Sequence, residues 1–207
     1  MTKLSELVLH LKNEIPVEIC RQIIDSFNEE ESFQEQSKEV NSKETKKSSS
    51  NMFTLKSGTT EFFLSRYYTK VGVIKYSEYI KSFNKFADYC ILENYCYSHS
   101  YRLIRYNEGE SIHNHIDSDF CSIFGSCSLI LNEEYTGGEF SFFNGDYNLK
   151  TKTGDIVVFP AGLFFTHGVT PVESGTRFSV NSFLCNENYF LVRDLDLSQF
   201  RDHYIFG

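Results

Sequence analysis

The sequence predicts an α+β protein with a mainly β core, in which an antiparallel barrel or jelly roll carries helices on one side. Two observations support this fold class. Helical periodicity is confined to the N-terminal half, and short β-type runs begin at about residue 100. The chain has 207 residues, of which 41% are hydrophobic, enough for one sizeable core. We therefore expect a single domain over residues 1–207, with a helical part at about 1–97 and a β core at about 98–187.

Two amphipathic helices are predicted before the β core. The first covers residues 16–29, and Pro16 lies near its first turn. Its apolar face comprises Val17, Cys20, Ile23, Ile24 and Phe27. The second helix covers about 76–93. Its apolar stripe comprises Tyr79, Ile80, Phe83, Phe86, Ala87 and Cys90.

Residues 34–60 separate the two predicted helices and are rich in Ser, Lys and Glu. The segment has few large apolar side chains, so burial cannot offset the entropy of ordering it. We predict a mobile loop here. It is either a plain linker or a lid over a functional site.

Five β-type runs follow the helices. They read YRLIRY, CSLILN, GEFSFFN, DIVVFP and RFSVNSFL, and Gly, Asn and Asp punctuate them. These runs predict the strands of the β core.

Charge and cysteine content limit the function classes. The net charge of −8 and the pI of about 5.3 disfavour non-specific binding to nucleic acid or anionic membranes, so we expect neither as a partner. The N-terminus lacks the apolar core of a signal peptide, which is typical of a cytoplasmic protein. The six cysteines form no CxxC pair, and we expect reduced, mostly buried thiols.

The run HNHID at residues 113–117 places two histidines beside an aspartate. It is either a polar turn or half of a metal site. In a strand, alternate residues point to the same side, so His115 and Asp117 project together, and His113 joins them if the strand extends that far. An imidazole and a carboxylate supply two of the three ligands of a 2-His-1-carboxylate site, which binds non-haem Fe(II).

The third ligand of such a site is expected to be a histidine that is distant in sequence. His167 lies between two strong β runs, whereas His10, His99 and His203 lie outside the strand pattern. His167 is therefore the candidate.

A polar face follows ten residues after the candidate histidine. Arg177, Ser179 and Asn181 alternate with other residues and share one side of a predicted strand. An interior arginine needs an anionic partner, and its planar guanidinium suits a carboxylate. The alternative is an edge strand with a solvated polar face.

Taken in order, these motifs resemble those of the iron(II)/2-oxoglutarate-dependent oxygenases, and within them the prolyl 4-hydroxylase-like group, from about residue 101 to 184. RYNEGESIHNHID is similar to the family's segment in which a Tyr precedes the first His ligand by nine residues and a Gly follows that Tyr by three; Tyr106, Gly109 and His115 fit. YTGGEFSFF resembles its turn with paired glycines, and KTGDIVVFP its strand before the distal histidine. THGVTPVESGTRFSVNSF supplies the distal histidine, the arginine and the serine in register.

This resemblance implies a double-stranded β-helix (jelly roll) with the N-terminal helices packed on one sheet, as a single 2-oxoglutarate/Fe(II) dioxygenase domain. It implies that Fe(II) is bound by the catalytic residues His115, Asp117 and His167. It implies that the cosubstrate 2-oxoglutarate is bound by Tyr106, Arg177 and Ser179. His113 would then be exposed, lie just behind the ligands or face the substrate, and we expect one of the first two.

The implied activity is hydroxylation of a substrate C–H bond with O2, with ascorbate as a candidate reductant. The expected substrate is a prolyl residue in a peptide or protein. Asp117 favours hydroxylation, because halogenating relatives replace this carboxylate with a small residue. Two departures bear on the prolyl substrate: collagen-type prolyl hydroxylases tend to use Lys where this chain has Arg177, and Trp where it has Phe178 and Phe183.

Two alternatives remain open at this point. One is a hydroxylase of the same superfamily that acts on a free amino acid or another small molecule. The other is a non-catalytic β-barrel module that binds a metal or a ligand.

Overall fold

The fold follows the predicted order, with helices on one side of a β core. The computed structural model describes residues 3–29, 33–35, 50–83, 95–97, 101–118 and 123–186. They contain the helices α1 (Val17–Ser26) and α2 (Thr60–Phe83) and short 3-10 turns at Leu4–Leu7 and Phe143–Gly145. The strands are β1 (Leu9–Leu11), β2 (Phe33–Glu35), β3 (Asn51–Thr54), β4 (Tyr95–Tyr97), β5 (Arg102–Tyr106), β6 (Ile112–His115), β7 (Ile123–Ile130), β8 (Tyr135–Gly137), β9 (Phe140–Phe142), β10 (Tyr147–Leu149), β11 (Ile156–Pro160), β12 (His167–Val169), β13 (Val172–Gly175) and β14 (Arg177–Asn186).

Two sheets form the double-stranded β-helix. The large sheet has the strand order β1-β11-β7-β14-β5-β3-β2, and β4 also pairs with β14. The small sheet has the order β10-β9-β12-β6, and β13 pairs with β8 apart from both. The described strand pairs are antiparallel. The five β-type runs of the sequence all lie on these strands.

The large sheet separates two apolar clusters because its side chains alternate between its faces. On the outer face, Leu103, Leu129 and Val180 pack with Ile23 of α1 and Val73 of α2. The inner face packs against the small sheet through a second cluster that includes Ile104, Tyr106, Ile130, Val157, Phe140 and Phe142. The helices thus cover one side of the large sheet, and the barrel interior lies on the other.

The first predicted helix is confirmed as α1. Cys20 and Ile23 on its predicted apolar face are fully buried, whereas Val17 is 41% exposed. Pro16 precedes the helix and provides its N-cap backbone position.

The second predicted helix was placed too late in the chain. Helix α2 begins at Thr60, where the Thr59 hydroxyl accepts a hydrogen bond from the Phe62 backbone N–H at 3.4 Å. Its first turns carry exposed aromatic residues, Phe63 and Tyr67, which blur the one-sided pattern used to locate it. Residues 84–93 of the predicted helix lie outside the described residues.

The prediction of a loop over residues 34–60 is wrong at both ends, where the structure has strands β2 and β3. Strand β3 pairs with β5, and strand β2 pairs with β3. Phe53 and Leu55 are buried at alternate positions, which is enough for one buried strand face. The polar composition of the whole segment concealed this short pattern. Residues 36–49 lie outside the described residues, and with them most of the segment that a lid would need.

Two further expectations concern membranes and thiols. In the part of the chain that the structure describes, no helix combines the length and hydropathy needed to cross a membrane. Cys20, Cys127 and Cys185 are buried free thiols.

We predict that docking of α1 on the large sheet stabilises the fold. Truncating the fully buried Ile23 to Ala should lower the free energy of unfolding by ~2–5 kcal/mol, because it removes apolar contacts and leaves a cavity. Val17→Ala, at the 41% exposed first residue of the same helix, is the control and should change it by less than ~0.5 kcal/mol. Urea titrations followed by circular dichroism would measure both, and equal effects would contradict the assigned helix face.

Candidate metal centre

Three potential metal ligands meet in the small sheet. His115 is the last residue of β6, Asp117 follows two residues later, and His167 is the first residue of β12. Because β12 pairs antiparallel with β6, His167 lies directly opposite His115. The Nε2 atoms of His115 and His167 lie 3.2 and 3.3 Å from the two carboxylate oxygens of Asp117. One ligand atom from each residue lies within 4.8 Å of the others.

Backbone carbonyls orient both imidazole rings. His115 Nδ1 lies 2.9 Å from the His113 carbonyl oxygen, and His167 Nδ1 lies 3.1 Å from the Phe165 carbonyl oxygen. A ring nitrogen beside a carbonyl oxygen donates its proton to that oxygen, which leaves Nε2 as the nitrogen that faces the Asp117 carboxylate. A bound metal would take the place of the Nε2 protons, so both rings are oriented for metal binding.

Asp117 remains ionised although it is largely buried. Burial tends to raise its pKa, but hydrogen bonds from His115 and His167 outweigh burial, and the pKa falls below its usual range. Burial lowers the pKa of His115 in turn, but the neighbouring carboxylate reverses this effect and the pKa is raised. Ser126 also donates its hydroxyl proton to Asp117 Oδ2 at 2.5 Å. A carboxylate fixed between two imidazoles is the donor set of a 2-His-1-carboxylate metal site.

Aromatic rings support the distal histidine. The Phe159 ring lies 4.6 Å from the His167 ring and the Phe142 ring lies 5.9 Å from it, both measured between centroids. His167 is buried, with 5% of its surface exposed, and His115 is partly buried. The ligand group therefore has an apolar wall on the His167 side and is more open at His115.

A buried cation lies deeper in the same interior. Arg177 is fully buried, and its guanidinium lies 5.1 Å from the Tyr106 ring centre and 5.2 Å from the Phe140 ring centre. One nitrogen donates to the Ser179 hydroxyl at 3.0 Å, whereas Nε and the second terminal nitrogen have no hydrogen-bond partner. In the described part of the chain, no carboxylate pairs with this arginine.

An unpaired buried guanidinium is costly unless an anion neutralises it. Arg177 offers two unused donors on a planar fork, which match the two oxygens of a carboxylate. The site therefore fits a ligand that carries a carboxylate at its deep end. The aromatic contacts from Phe140 to Phe142 and from Phe142 to His167, each 5.9 Å between centroids, link this cation to the metal-ligand group.

Tyr106 supplies a neutral hydroxyl in this region. It is opposite Arg177 in the pairing of β5 with β14 and is almost completely buried. Burial raises its pKa to about 12, although the charge of Arg177 acts in the other direction. The phenol is thus protonated at neutral pH and can donate a hydrogen bond to an anion.

Gly138 makes room for the buried arginine. A Cβ atom at this position would lie 3.1 Å from Cδ of Arg177 and 3.1 Å from the Tyr135 ring. The residue also has a φ of +62°, which L side chains rarely adopt. The second glycine of the predicted paired-glycine turn therefore packs against the cation.

The remaining histidines lie outside the ligand group or outside the described residues. The His113 ring is partly buried, with its centroid 6.4 Å from that of His115. His10 lies within β1, so its assignment outside the strands was wrong, and its Nε2 is 2.6 Å from Asp155 Oδ2. His99 and His203 fall outside the described residues.

Sequence reasoning missed the hydroxyl groups that line the interior of β7. Ser126 holds Asp117, and Ser128 donates to the Asn181 side-chain oxygen at 2.7 Å. Both are buried. The alternation of serines in GSCSLILN was the available signal, but the predicted strand began after Ser126.

A cavity of about 680 Å³ lies beside the strand pair β8–β13. It is lined by charged and small residues such as Glu133, Glu139, Lys150 and Glu173. None of the predicted metal or cosubstrate residues lines it, and the chemistry described above does not involve it.

Comparison with known families finds a match in the part of the chain that contains the candidate site. Residues 101–185 match the family described as the 2OG-Fe(II) oxygenase superfamily. This range contains the six residues predicted to bind a metal or a cosubstrate. None of the curated protein sequences compared matches the chain.

Solved structures of prolyl hydroxylases share this fold at low sequence identity. A prolyl-4-hydroxylase from Pseudomonas putida has a TM-score of 0.64 and 18% identity, covering 87% of this chain and 93% of its own. The viral collagen prolyl hydroxylase of Paramecium Bursaria Chlorella virus-1, in its 2OG complex, has a TM-score of 0.60 and 17% identity, with coverage of 87% and 96%. A prolyl hydroxylase from Trichoplax adhaerens, in complex with a hypoxia inducible factor oxygen degradation domain peptide fragment, has a TM-score of 0.63 and 13% identity, with coverage of 92% and 89%. At these identities the similarity shows the fold.

We predict that metal affinity depends on His115, Asp117 and His167 and depends little on His113. Alanine at any of the first three should weaken Fe(II) or Mn(II) binding by about 100-fold or more, because loss of a direct ligand costs at least as much as loss of an outer-shell partner. His113→Ala is the matched control, since it keeps the backbone carbonyl that His115 Nδ1 contacts and its own ring does not belong to the ligand group. Anaerobic equilibrium dialysis with metal analysis would measure this. Loss of metal in His113→Ala together with retention in His115→Ala would overturn the assignment.

We predict that Arg177 governs affinity for 2-oxoglutarate and not for the metal. Arg177→Ala should weaken 2-oxoglutarate binding by ~2–5 kcal/mol, because it leaves the buried carboxylate without its cation. Arg177→Lys should recover part of the affinity, since it restores the charge without the planar fork. Calorimetric titration of the Mn(II)-loaded variants would test both. Metal loading should persist, and unchanged 2-oxoglutarate affinity in Arg177→Ala would exclude the residue from the site.

Proposed function

We propose that this protein, whose residues 101–185 match the 2OG-Fe(II) oxygenase superfamily, is an Fe(II)- and 2-oxoglutarate-dependent dioxygenase that hydroxylates a substrate C–H bond. The observation that carries the proposal is the fully buried Arg177, whose unpaired donors line the same interior as the His-Asp-His group. A metal-binding module alone has no need of a buried cation that faces its metal site. A dicarboxylate cosubstrate accounts for both features.

In this proposal His115, Asp117 and His167 would hold Fe(II). The bound metal and cosubstrate supply the oxidising chemistry, in which 2-oxoglutarate and O2 give succinate and CO2 and one oxygen atom enters the substrate C–H bond. Ser126 keeps Asp117 in place through its hydrogen bond to Oδ2. Retention of the Asp117 carboxylate leaves no room for a halide at its position, which favours hydroxylation.

Arg177, Ser179 and Tyr106 bind the far carboxylate of 2-oxoglutarate. The guanidinium supplies two unused N–H donors, and the protonated Tyr106 phenol supplies a third. Ser179 orients the guanidinium through its own hydrogen bond at 3.0 Å. The rings of Phe140 and Tyr106 exclude water around the charge, which strengthens its pairing with an anion.

We infer a prolyl residue in a peptide or protein as the substrate. The support is the fold shared with viral, bacterial and Trichoplax prolyl hydroxylases, the last of which was solved with a peptide. Ascorbate is the proposed reductant. Of the two positions where collagen-type enzymes favour Trp, Phe178 packs towards the helices, and Phe183 shares the inner face of β14 with Arg177. A free amino acid or another small molecule is the alternative substrate.

We predict 2-oxoglutarate turnover that requires the triad. The 207-residue chain with Fe(II), ascorbate and 2-oxoglutarate should release succinate under air, and His167→Ala should not. Proline-containing peptides should raise succinate release and gain the mass of one oxygen atom. Hydroxylation of free L-proline with no change in the peptides would favour the small-molecule alternative. If the wild-type chain binds both metal and 2-oxoglutarate but forms no succinate, the protein is a binding module and the enzymatic proposal fails.

A further inference from the structure

The two ends of the barrel carry different parts of the candidate site. At one end of the large sheet, Arg177 at the start of β14 is opposite Tyr106 at the end of β5. At the other end, β11 finishes beside the start of β7, where Ser126 binds Asp117. We call this second end the metal end. In the proposed function the cosubstrate occupies the Arg177 end, so a substrate reaches the metal from the metal end.

One loop at the metal end leads directly into the distal histidine. Residues 161–166, with the sequence AGLFFT, connect β11 to β12, whose first residue is His167. The Ala161 carbonyl accepts a hydrogen bond from the Ser118 backbone N–H at 3.1 Å, one residue after Asp117. The loop therefore contacts the segment of one metal ligand and continues into another.

Two adjacent apolar side chains of this loop are exposed. Leu163 is 62% exposed and Phe164 is 74% exposed, the largest values among the large hydrophobic side chains that the structure describes. Residues 160–166 contain no charged side chain, although the chain has a net charge of −8. Leu163 and Phe164 therefore form an uncharged apolar edge close to the metal ligands. Exposed apolar side chains that are grouped at a site are typical of binding surfaces.

The backbone of the loop is held in place beneath the apolar edge. Phe165 is buried, and its ring centroid lies 5.8 Å from that of Phe143. The Phe165 backbone N–H donates to the Gly162 carbonyl at 2.9 Å, and the Phe143 backbone N–H donates to the Thr166 carbonyl at 2.9 Å. A surface that is already ordered loses little conformational entropy when a partner binds to it.

The turn that supports the loop adopts a strained backbone conformation. Phe143 has a φ of +55° and Asn144 a φ of +59°, which bulky residues such as phenylalanine rarely adopt. The Asn144 side-chain oxygen accepts a hydrogen bond at 3.0 Å from the amide of Asn114, which precedes His115 on β6. Strain of this kind persists where surrounding contacts impose it, often at binding sites. The turn thus fixes the loop relative to the strand that carries a metal ligand.

We propose that Leu163 and Phe164 bind a large apolar side chain that flanks the target residue of a peptide substrate. The inference rests on the proposed function and specifies the chemistry of its substrate. A peptide places side chains on both sides of its target, so it can contact the apolar edge and the metal centre at once. A polar free amino acid gains nothing from such an edge. An uncharged edge on an acidic protein also favours an apolar neighbour over a charged one.

Matched peptides test this substrate preference. Each is acetylated and amidated and contains a single proline, with phenylalanine or serine at one of the two positions before or after it. L-Proline is the small-molecule probe. Dissociation constants are measured by calorimetry with the 207-residue chain, loaded with Mn(II) and 2-oxoglutarate under nitrogen, so that binding is measured without turnover.

We expect the phenylalanine peptide of at least one position to bind about tenfold more tightly than its serine counterpart, because its ring leaves water. The double variant Leu163→Ser, Phe164→Ser should reduce this ratio to within about twofold, since the apolar edge is lost. Phe164→Leu keeps an apolar side chain and should retain most of the preference. Phe63→Ser is the matched control, because it removes a 56% exposed phenylalanine from helix α2 on the other side of the large sheet. It should leave the ratio unchanged.

Three results overturn the inference. The first is that the wild-type chain prefers no phenylalanine peptide, or binds L-proline and none of the peptides. The second is that the double variant keeps the preference, including the case in which it only converts a dimer to a monomer in sedimentation velocity, since the edge would then contact a second copy. The third is that the double variant loses Mn(II) as His167→Ala does, because the loop would then serve only to support the ligand.

Failure of the proposed function gives a different result. In that case the preference for the phenylalanine peptide and its loss in the double variant are both observed. The tightly bound peptide, however, gains no oxygen atom when Fe(II), 2-oxoglutarate and air are supplied.

Discussion

The site depends on the antiparallel pairing of β12 with β6, which sets His167 opposite His115. Strand β12 also pairs with β9 on its other side, so that His167 lies opposite Phe142. A shift of one residue would turn His167 to the other face of the small sheet and separate it from Asp117. Two neighbouring strands thus fix the register that a three-ligand site needs. The distant histidine reaches the HxD segment through sheet pairing.

The interior contains two buried charges of opposite sign that are stabilised in different ways. Asp117 has hydrogen-bond or ion-pair contacts with His115, His167 and Ser126, and these contacts lower its pKa despite burial. Arg177 has the Ser179 hydroxyl and two aromatic rings, with two nitrogens left unpaired. The group around Asp117 can therefore release the imidazole protons and bind a metal cation in their place. The Arg177 guanidinium, by contrast, needs an anion to neutralise it. A ligand that chelates at one end and carries a carboxylate at the other meets both requirements.

Much of this arrangement could be predicted from sequence because its signals are local. The HxD spacing, the polar alternation from Arg177 and the five β runs each occupy about ten residues or fewer. The features that were missed depend on the surrounding segment or on contacts with distant strands. Strand β3 was hidden because Phe53 and Leu55 lie in a segment that is polar on average, and the early turns of α2 were hidden because Phe63 and Tyr67 are exposed. Ser126 required knowledge of which side chain it faces across the barrel, and one sequence does not contain that information.

Strand β5 illustrates why residue type alone could not predict the surroundings of each arginine. Arg102 and Arg105 both stack on phenylalanine rings, at 5.1 and 5.3 Å, and lie three residues apart. Their odd spacing places them on opposite faces of the sheet. Arg105 pairs with Glu29 just after α1 and belongs to the helix side, where a carboxylate of the chain itself neutralises it. Arg102 faces the interior beside Phe183, within one strand of the serine that holds Asp117. The same type of side chain therefore pairs with a carboxylate near a helix on one face of the sheet and stacks on a phenylalanine inside the barrel on the other.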